Sequence, residues 1–346
     1  NLWKGLKDKD IDFHFKLSFL SPAFIDELLQ AATSERIFLN LDPIGNLVKT
    51  GNWFQSINSD IEQLKEIIQK NPNRFCIGVS ADIFQNAGAN TVQQIAYSLA
   101  QASEYLNIFG GEIANSIQFS FAIGSNYFFE ISKLRAFRYL LKRILKVYGA
   151  DACATIFASP SKRNKTLYDY NVNLLRTTTE CMSALLGGAN TISNMSYDGI
   201  YKDHNDFGKR IARNQLLILK KESYFSKASE IPTNTYYIES ITKQLAEHAL
   251  KLFKEIEKSG GFLHQLKEGT IQRKISENAN KEQSQFESGK LVLLGTNKYP
   301  NPEDRMKDAL EIQPFVKSNP KKTLIEPIIE RRLAETLELK RLKDEA

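Results

Sequence analysis

The sequence predicts an α/β protein, a (β/α)8 TIM-type barrel whose N-terminal part is missing, followed by a helical C-terminal extension. Three observations predict it. Six short segments alternate apolar and polar residues with period two, long helical patterns separate them, and no Gly-x-Gly-x-x-Gly marks a doubly wound dinucleotide fold. Strands alternating with helices of this length form right-handed βαβ units on a parallel sheet.

The strands come in order. Residues 11–19 alternate strictly, with Ile11, Phe13, Phe15, Leu17 and Phe19 on one face and Asp12, His14, Lys16 and Ser18 on the other. Residues 36–42 place Ile37, Leu39 and Leu41 together. Phe75, Ile77 and Val79 alternate with Cys76, Gly78 and Ser80, and Ile117, Phe119, Phe121 and Ile123 with Gln118, Ser120 and Ala122. Residues 153–159 and 191–196 complete the six. Between them, Val92, Ile95, Leu99 and Leu106 recur at helical spacing, as do Tyr127, Ile131, Leu134, Leu141, Leu145 and Tyr148, and then Val172, Leu175, Thr179, Met182 and Leu186. A helix at residues 2–6 is expected to be the tail of the second of two upstream units. After residue 200 the strands stop: 207–222, 237–256 and 266–286 read as helices, 289–302 as a turn-rich connector, and 324–342 as a final charged helix. The expected organisation is residues 1–200 as the barrel, 201–288 as helices packing on it, and 289–346 as connector and C-terminal helix.

The bore of such a barrel normally holds bulky branched side chains. Here that face carries Asp12, His14, Lys16, Asn40, Ser80, Gln118 and Ser120. Either a ligand threads through it or a polar side-chain network fills it.

Composition excludes several classes. The chain has 346 residues, 42% hydrophobic and 25% charged, the balance of a globular protein with an ordinary core. Its net charge of +6 is spread out, and Lys220-Lys221, Lys321-Lys322 and Arg331-Arg332 are short runs read as solvated faces, so no nucleic-acid partner is expected. No apolar run is long enough to span a membrane. Three cysteines, Cys76, Cys153 and Cys181, lie in apolar stretches without Cys-x-x-Cys, which argues against a disulfide framework or zinc site and suits the cytoplasm. Asn1 opens the chain with no signal-peptide pattern.

Barrel chemistry sits at the C-terminal ends of strands. That rule selects Asp42, Asp82, Asn126, Glu130, Ser159, Lys162, Arg163, Lys165 and Asn194. Lys162, Arg163 and Lys165 either grip a phosphate or form a loop that plugs the bore. Asp82 reads as a cap for the helix after Gln85, with general base as the alternative. No histidine has metal-ligand spacing to Cys, Asp or Glu, so no metal site is expected. Asp12-x-His14 resembles the start of a cobalamin-ligating Asp-x-His-x-x-Gly, but Leu17 stands where Gly belongs. His248 reads as a helix-boundary residue, and His204 and His264 as loop residues.

The run Gln85-Asn-Ala-Gly-Ala-Asn-Thr-Val-Gln-Gln-Ile-Ala-Tyr97 resembles the methylmalonyl-CoA mutase family. So do Ile123-Gly-Ser-Asn-Tyr-Phe-Phe-Glu-Ile-Ser-Lys-Leu-Arg-Ala136, Asp206-Phe-Gly-Lys-Arg-Ile-Ala-Arg-Asn214 and Tyr236-Tyr-Ile-Glu239. Thr166-Leu-Tyr-Asp-Tyr-Asn-Val-Asn-Leu-Leu-Arg176 and Leu294-Gly-Thr-Asn-Lys-Tyr299 extend the match to roughly residues 36–300. The resemblance implies a barrel with a polar bore through which a coenzyme A chain threads.

Within the resemblance, the family's catalytic Gly-Tyr-His-Met-Gln-Glu-Ala-Gly-Ala is matched by residues 81–89, and Ile83 stands where its His contacts the thioester. Isoleucine has no donor for a carbonyl oxygen. The family's Ser/Gly/Trp-rich substrate loop is matched by Ser159-Pro-Ser-Lys-Arg-Asn-Lys165, whose long side chains fill space a substrate needs. Asn126 and Glu130 match the Asn and Glu near the adenosyl group, which makes them the candidate cofactor-binding pair, with retention for packing as the other reading. The family's cobalamin-binding domain has no counterpart before Ala346.

Together these features resemble the small, non-catalytic subunit of the heterodimeric enzyme. The resemblance implies adenosylcobalamin on a large catalytic partner subunit, none bound by this chain alone, no catalytic residue here, and a homodimer when the chain is isolated. The alternatives are a competent acyl-CoA mutase barrel served by a separate cobalamin-binding protein, or a CoA-ester binding module without chemistry.

Overall fold

The computed structural model describes residues 11–31, 36–72, 74–203, 205–225, 231–316 and 322–345. The expected helix at 2–6, His204 and Lys321 lie outside the described residues. Six strands form one sheet: β1 (Phe13–His14), β2 (Ile37–Leu41), β3 (Phe75–Val79), β4 (Ile117–Ile123), β5 (Thr155–Pro160) and β6 (Thr191–Ile192). Each pairs in parallel with the next, so spatial order equals sequence order. A doubly wound sheet reverses order at a switch point. This one never does, and it curls into a half-barrel, consistent with part of a TIM-type barrel.

The curl is visible in side chains. Strands lie about 4.8 Å apart, so in a flat sheet β1 and β6 would be separated by about 24 Å. Yet Thr191 Oγ1 on β6 lies 3.5 Å from His14 Nε2 on β1. The strands face outward with their apolar residues, as their alternation predicts: Phe119 and Phe121 both meet Phe137 edge-on at 4.7 and 4.8 Å.

Helices α1 (Pro22–Gln30), α2 (Pro43–Thr50), α3 (Ile57–Lys70), α4 (Asp82–Asn86), α5 (Thr91–Phe109), α6 (Tyr127–Val147) and α7 (Val172–Leu186) fill the crossovers. Their ends follow local chemistry. Asp42 caps α2 with Pro43 behind it, and α5 opens on a reciprocal Asn90–Gln93 capping box. Beyond β6, α8 (Asp206–Lys221), α9 (Tyr236–Lys258), α10 (Phe262–Lys267), α11 (Thr270–Glu287) and α12 (Glu335–Asp344) follow. α9 adds Ile241, Leu245 and Ala249 to the same core as the sheet.

Several expectations are corrected. The strand expected over 11–19 ladders only at Phe13–His14, because Asn40 takes a left-handed conformation (φ 49°) and its Nδ2 binds the Phe15 and Phe38 carbonyls in place of a continuing ladder. The strand expected over 191–196 stops at Ile192, since Asn194 turns away to bond Ala212 O and Gln215 on α8. The helix expected over 266–286 is broken at Gly269 (φ 68°), which places His264 on α10 rather than in a loop. The helix expected over 324–342 is an extended strap until Glu335. Pro327 lacks an N–H and disfavours helix before it, and the strap's amides find barrel carbonyls: Ile325 bonds Gly51 O, Ile328 bonds Val48 O and Arg331 bonds Asn86 O. Arg332 is buried, not on a solvated face, and Cys153 is exposed between the buried Ala152 and Ala154. No helix among the described residues is long and apolar enough to cross a membrane.

Candidate functional site

The strand ends of β3, β4 and β5 converge on a cleft of about 560 Å³ walled on its outer side by α11. Asn126 and Glu130 both line it, with Gln85, Gln94, Asn164 and Arg163 around them and Leu333 of the strap at its edge. The sequence-predicted pair is therefore brought together. Asn126 caps α6, and Glu130 lies one turn further in, 5% exposed.

Glu130 is already committed. It forms an ion pair with Lys133 and accepts from Gln85 Nε2 at 3.3 Å. Lys133 is fully buried and also donates to Gln85 Oε1 (2.8 Å), Gln94 Oε1 (2.9 Å) and Ala122 O (2.7 Å). Burial pulls the Lys133 ammonium below its usual range, while Glu130 beside it holds the proton on. Lys133 carries no functional signature in the sequence. The available signal was a lysine one turn from Glu130 among the apolar positions of a helical stripe.

In the basic loop after β5, read either as a phosphate grip or as a plug, all three cations are already paired. Each cation faces its own carboxylate: Lys162 Nζ lies 3.5 Å from Glu330, Arg163 Nε 2.6 Å from Glu282 on α11, and Lys165 Nζ 2.8 Å from Glu180 on α7. Lys165 and Glu180 are both buried, and Asn164 and the Ser161 carbonyl add further bonds to the Lys165 ammonium. Burial lowers Lys165 and raises Glu180, and the attraction between them opposes both shifts. An anion entering here would have to displace a carboxylate already in place.

The other strand-end residues lie outside the cleft. Asp42 accepts from Gly45 N (2.7 Å), Ser80 N (2.8 Å), Gln101 (2.9 Å) and Tyr105 (2.7 Å), which ties β2, β3 and α5 together. Asp82 does not cap the helix after Gln85: that helix, α5, is capped by Asn90, while Asp82 lies in the first turn of α4 and pairs with Lys16 at 3.1 Å. Ser159 is half-buried on β5, and Asn194 is used by α8. Ile83, on α4, is buried in the apolar core.

Inside the curve, His14 stacks on Phe38 (ring centroids 4.1 Å apart), approaches Phe157 (5.1 Å) and bonds Gln118. The expected polar lining holds at His14 and Gln118, and the rings of Phe38 and Phe157 share that face with them. His248 is exposed on α9, flanked by Leu245 and Leu252, as expected of a boundary residue.

Chemically the cleft offers amides, buried paired charges and no nucleophile–base pair. Cys76 and Cys181 are buried, which pushes both thiols up to about 12. Among the described residues no cluster of three His, Cys, Asp or Glu could hold a metal.

Comparison with known proteins agrees with the sequence resemblance. The sequence pattern of the family described as methylmalonyl-CoA mutase matches residues 33–345. The methylmalonyl-CoA mutase small subunit of Porphyromonas gingivalis is 39% identical over 236 residues, which cover 65% of this chain and 38% of that protein. The methylmalonyl-CoA mutase of Rhizobium meliloti is 34% identical over 70% of this chain and 35% of its own length. The large subunit from P. gingivalis is 31% identical over 74% of this chain and 40% of its own length. The chain thus spans well under half the length of these relatives.

Proposed function

The chain belongs to the methylmalonyl-CoA mutase family, and from that premise we propose that it is the non-catalytic small subunit of an adenosylcobalamin-dependent methylmalonyl-CoA mutase. In this reading a large catalytic subunit holds the cofactor, the assembled enzyme interconverts methylmalonyl-CoA and succinyl-CoA, and this chain supports the fold and stability of its partner. The observation that carries the reading is the loop after β5, where Lys162, Arg163 and Lys165 are each tied to a carboxylate over the strand ends. Ile83 supports it, a buried side chain without a donor at the position matching the family's catalytic His. A relative named a small subunit and one named a large subunit, both from one organism, support the expected pairing.

The family's cofactor supplies radical chemistry when bound. The residues around the cleft do not fit its cobalt: none of the histidines among the described residues lines the cleft. His14 sits inside the curve of the sheet, and His248 and His264 are exposed on α9 and α10.

Mutase turnover with added adenosylcobalamin tests the proposal, measured for the chain alone, the large subunit alone and the co-expressed pair. Activity that appears in the pair, is absent from this chain alone and is weaker or less durable in the large subunit alone is the expected result. Turnover by the isolated chain would overturn it.

A further inference from the structure

The strap from residue 322 to 338 crosses the strand-end face and is stitched to three separate units of the barrel. It begins against α2, where Leu324 and Ile325 donate to Gly51 O, passes α4, where Arg331 donates to Asn86 O, and ends on the basic loop, where Leu333 donates to Arg163 O. The loop answers in kind: Arg163 Nη1 donates to Arg331 O at 2.8 Å, and Leu167 N donates to Glu338 Oε1 at 2.6 Å. At the centre of this lacing Arg332 Nη1 lies 2.5 Å from Glu338 Oε2, the two side chains 6% and 0% exposed, and reaches Lys165 O at 3.2 Å. Glu330 adds a lighter contact on the outside, to Lys162 and Asn86.

We propose that this strap is an intramolecular seal on the strand-end face, with Arg332 and Glu338, held by each other, as its lock on the loop through Lys165 O and Leu167 N. With the strap down, loop 161–167 is clamped between it and α11, and Leu333 forms one edge of the cleft that holds Asn126 and Glu130. With the strap lifted, the loop loses its outer wall and the cleft opens. Any partner segment or ligand that enters by this face binds the lifted state alone, so it must supply the free energy of breaking the lock. A buried ion pair suits such a lock, because removing one partner leaves the other charge unpaired in a dry site and destabilises the closed state strongly. The inference concerns the resting chain and holds whether or not the chain is a mutase subunit.

Two buried lysines make the test internal. Lys165 belongs to the loop the strap holds, its carbonyl bonded by Arg332, whereas Lys133 is equally buried on α6, covered by Gln85, Gln94 and Glu130 rather than bonded to the strap. The full-length chain is acetylated with N-hydroxysuccinimidyl acetate and each lysine is followed by mass spectrometry. Both should resist in the parent protein. In Glu338→Gln the Lys165 rate should rise about tenfold or more while Lys133 stays protected, the signature of local opening. Glu330→Gln, which alters only the outer contact, should give a smaller rise in the same lysine, and it keeps the test readable should Glu338→Gln fail to fold. Lys133 rising in step with Lys165 would mean global loosening and would overturn the seal. So would no change at Lys165 in either folded variant.

Discussion

His14 Nδ1 lies 3.1 Å from Gln118 Oε1, although their strands, β1 and β4, are three positions apart in the sheet. The bond spans the concave side of the curl, and Phe38 and Phe157 pack against the same imidazole. Burial lowers the His14 pKa from 6.5, only partly offset by the Gln118 bond and the nearby Asp12 charge. A depressed folded value means the unfolded chain takes up a proton first as the pH drops. Stability is therefore full above about pH 6.5 and is lost as the pH falls from there toward the folded value. The urea midpoint should decline between about pH 7.5 and about pH 5.5, and His14→Gln should flatten that decline. An unchanged slope in the variant would remove His14 as the cause.

Lys133 should matter far more to stability than any surface lysine. Lys133→Met strands Glu130 as a buried charge and takes a donor from Gln85, Gln94 and the Ala122 carbonyl. The expected loss is about 3–5 kcal/mol in urea unfolding, and adding Glu130→Gln should recover a substantial part of it. Strictly additive losses in the double variant would show that the two side chains are not coupled.

Much of this architecture was legible in the sequence. Period-two alternation located all six strands, because each outer face packs on helices while the inner face does not. What it could not show was where ladders end. The alternation of residues 11–19 continues past His14, but the pairing stops where Asn40 turns left-handed, and nothing in the alternation of β2 signals a left-handed residue there. Asn126 and Glu130 were found, and they do share a cleft. The carboxylates opposite Lys162, Arg163 and Lys165 were not, because Glu180, Glu282 and Glu330 are distant in sequence and meet the loop only through tertiary packing. The strap reads as helix in the sequence for a similar reason. Its charged, periodic composition suits a helix, and only Pro327 argued otherwise.

Restoring the family's histidine should not restore chemistry. Ile83 is 4% exposed among apolar neighbours. Ile83→His should cost about 1–3 kcal/mol, the price of burying a polar ring without a partner. It leaves the three paired cations of the basic loop in place, so the variant should show no mutase turnover alone and should leave the activity of the assembled pair unchanged. Turnover by the variant alone would mean that the loop does not obstruct a substrate, and that one residue separates this chain from its catalytic relatives.

Gly51 should prove the most sensitive glycine under the strap. Its φ of 76° ends α2 in the left-handed region, where a side chain is strained. A Cβ there would also lie 2.5 Å from Ile325 O and 2.8 Å from Thr323 Cβ, so backbone must move to admit it. Gly51→Ala is therefore expected to cost about 1–3 kcal/mol and to weaken the start of the strap. Hydrogen exchange separates the two effects. The Ile325 and Ile328 amides, which donate to Gly51 O and Val48 O, should exchange faster in the variant. Amides of β4 and β5 should keep their protection, because those strands do not touch the glycine. A uniform loss of protection across both regions would mean that the strap and the sheet open together and that the glycine acts only on global stability.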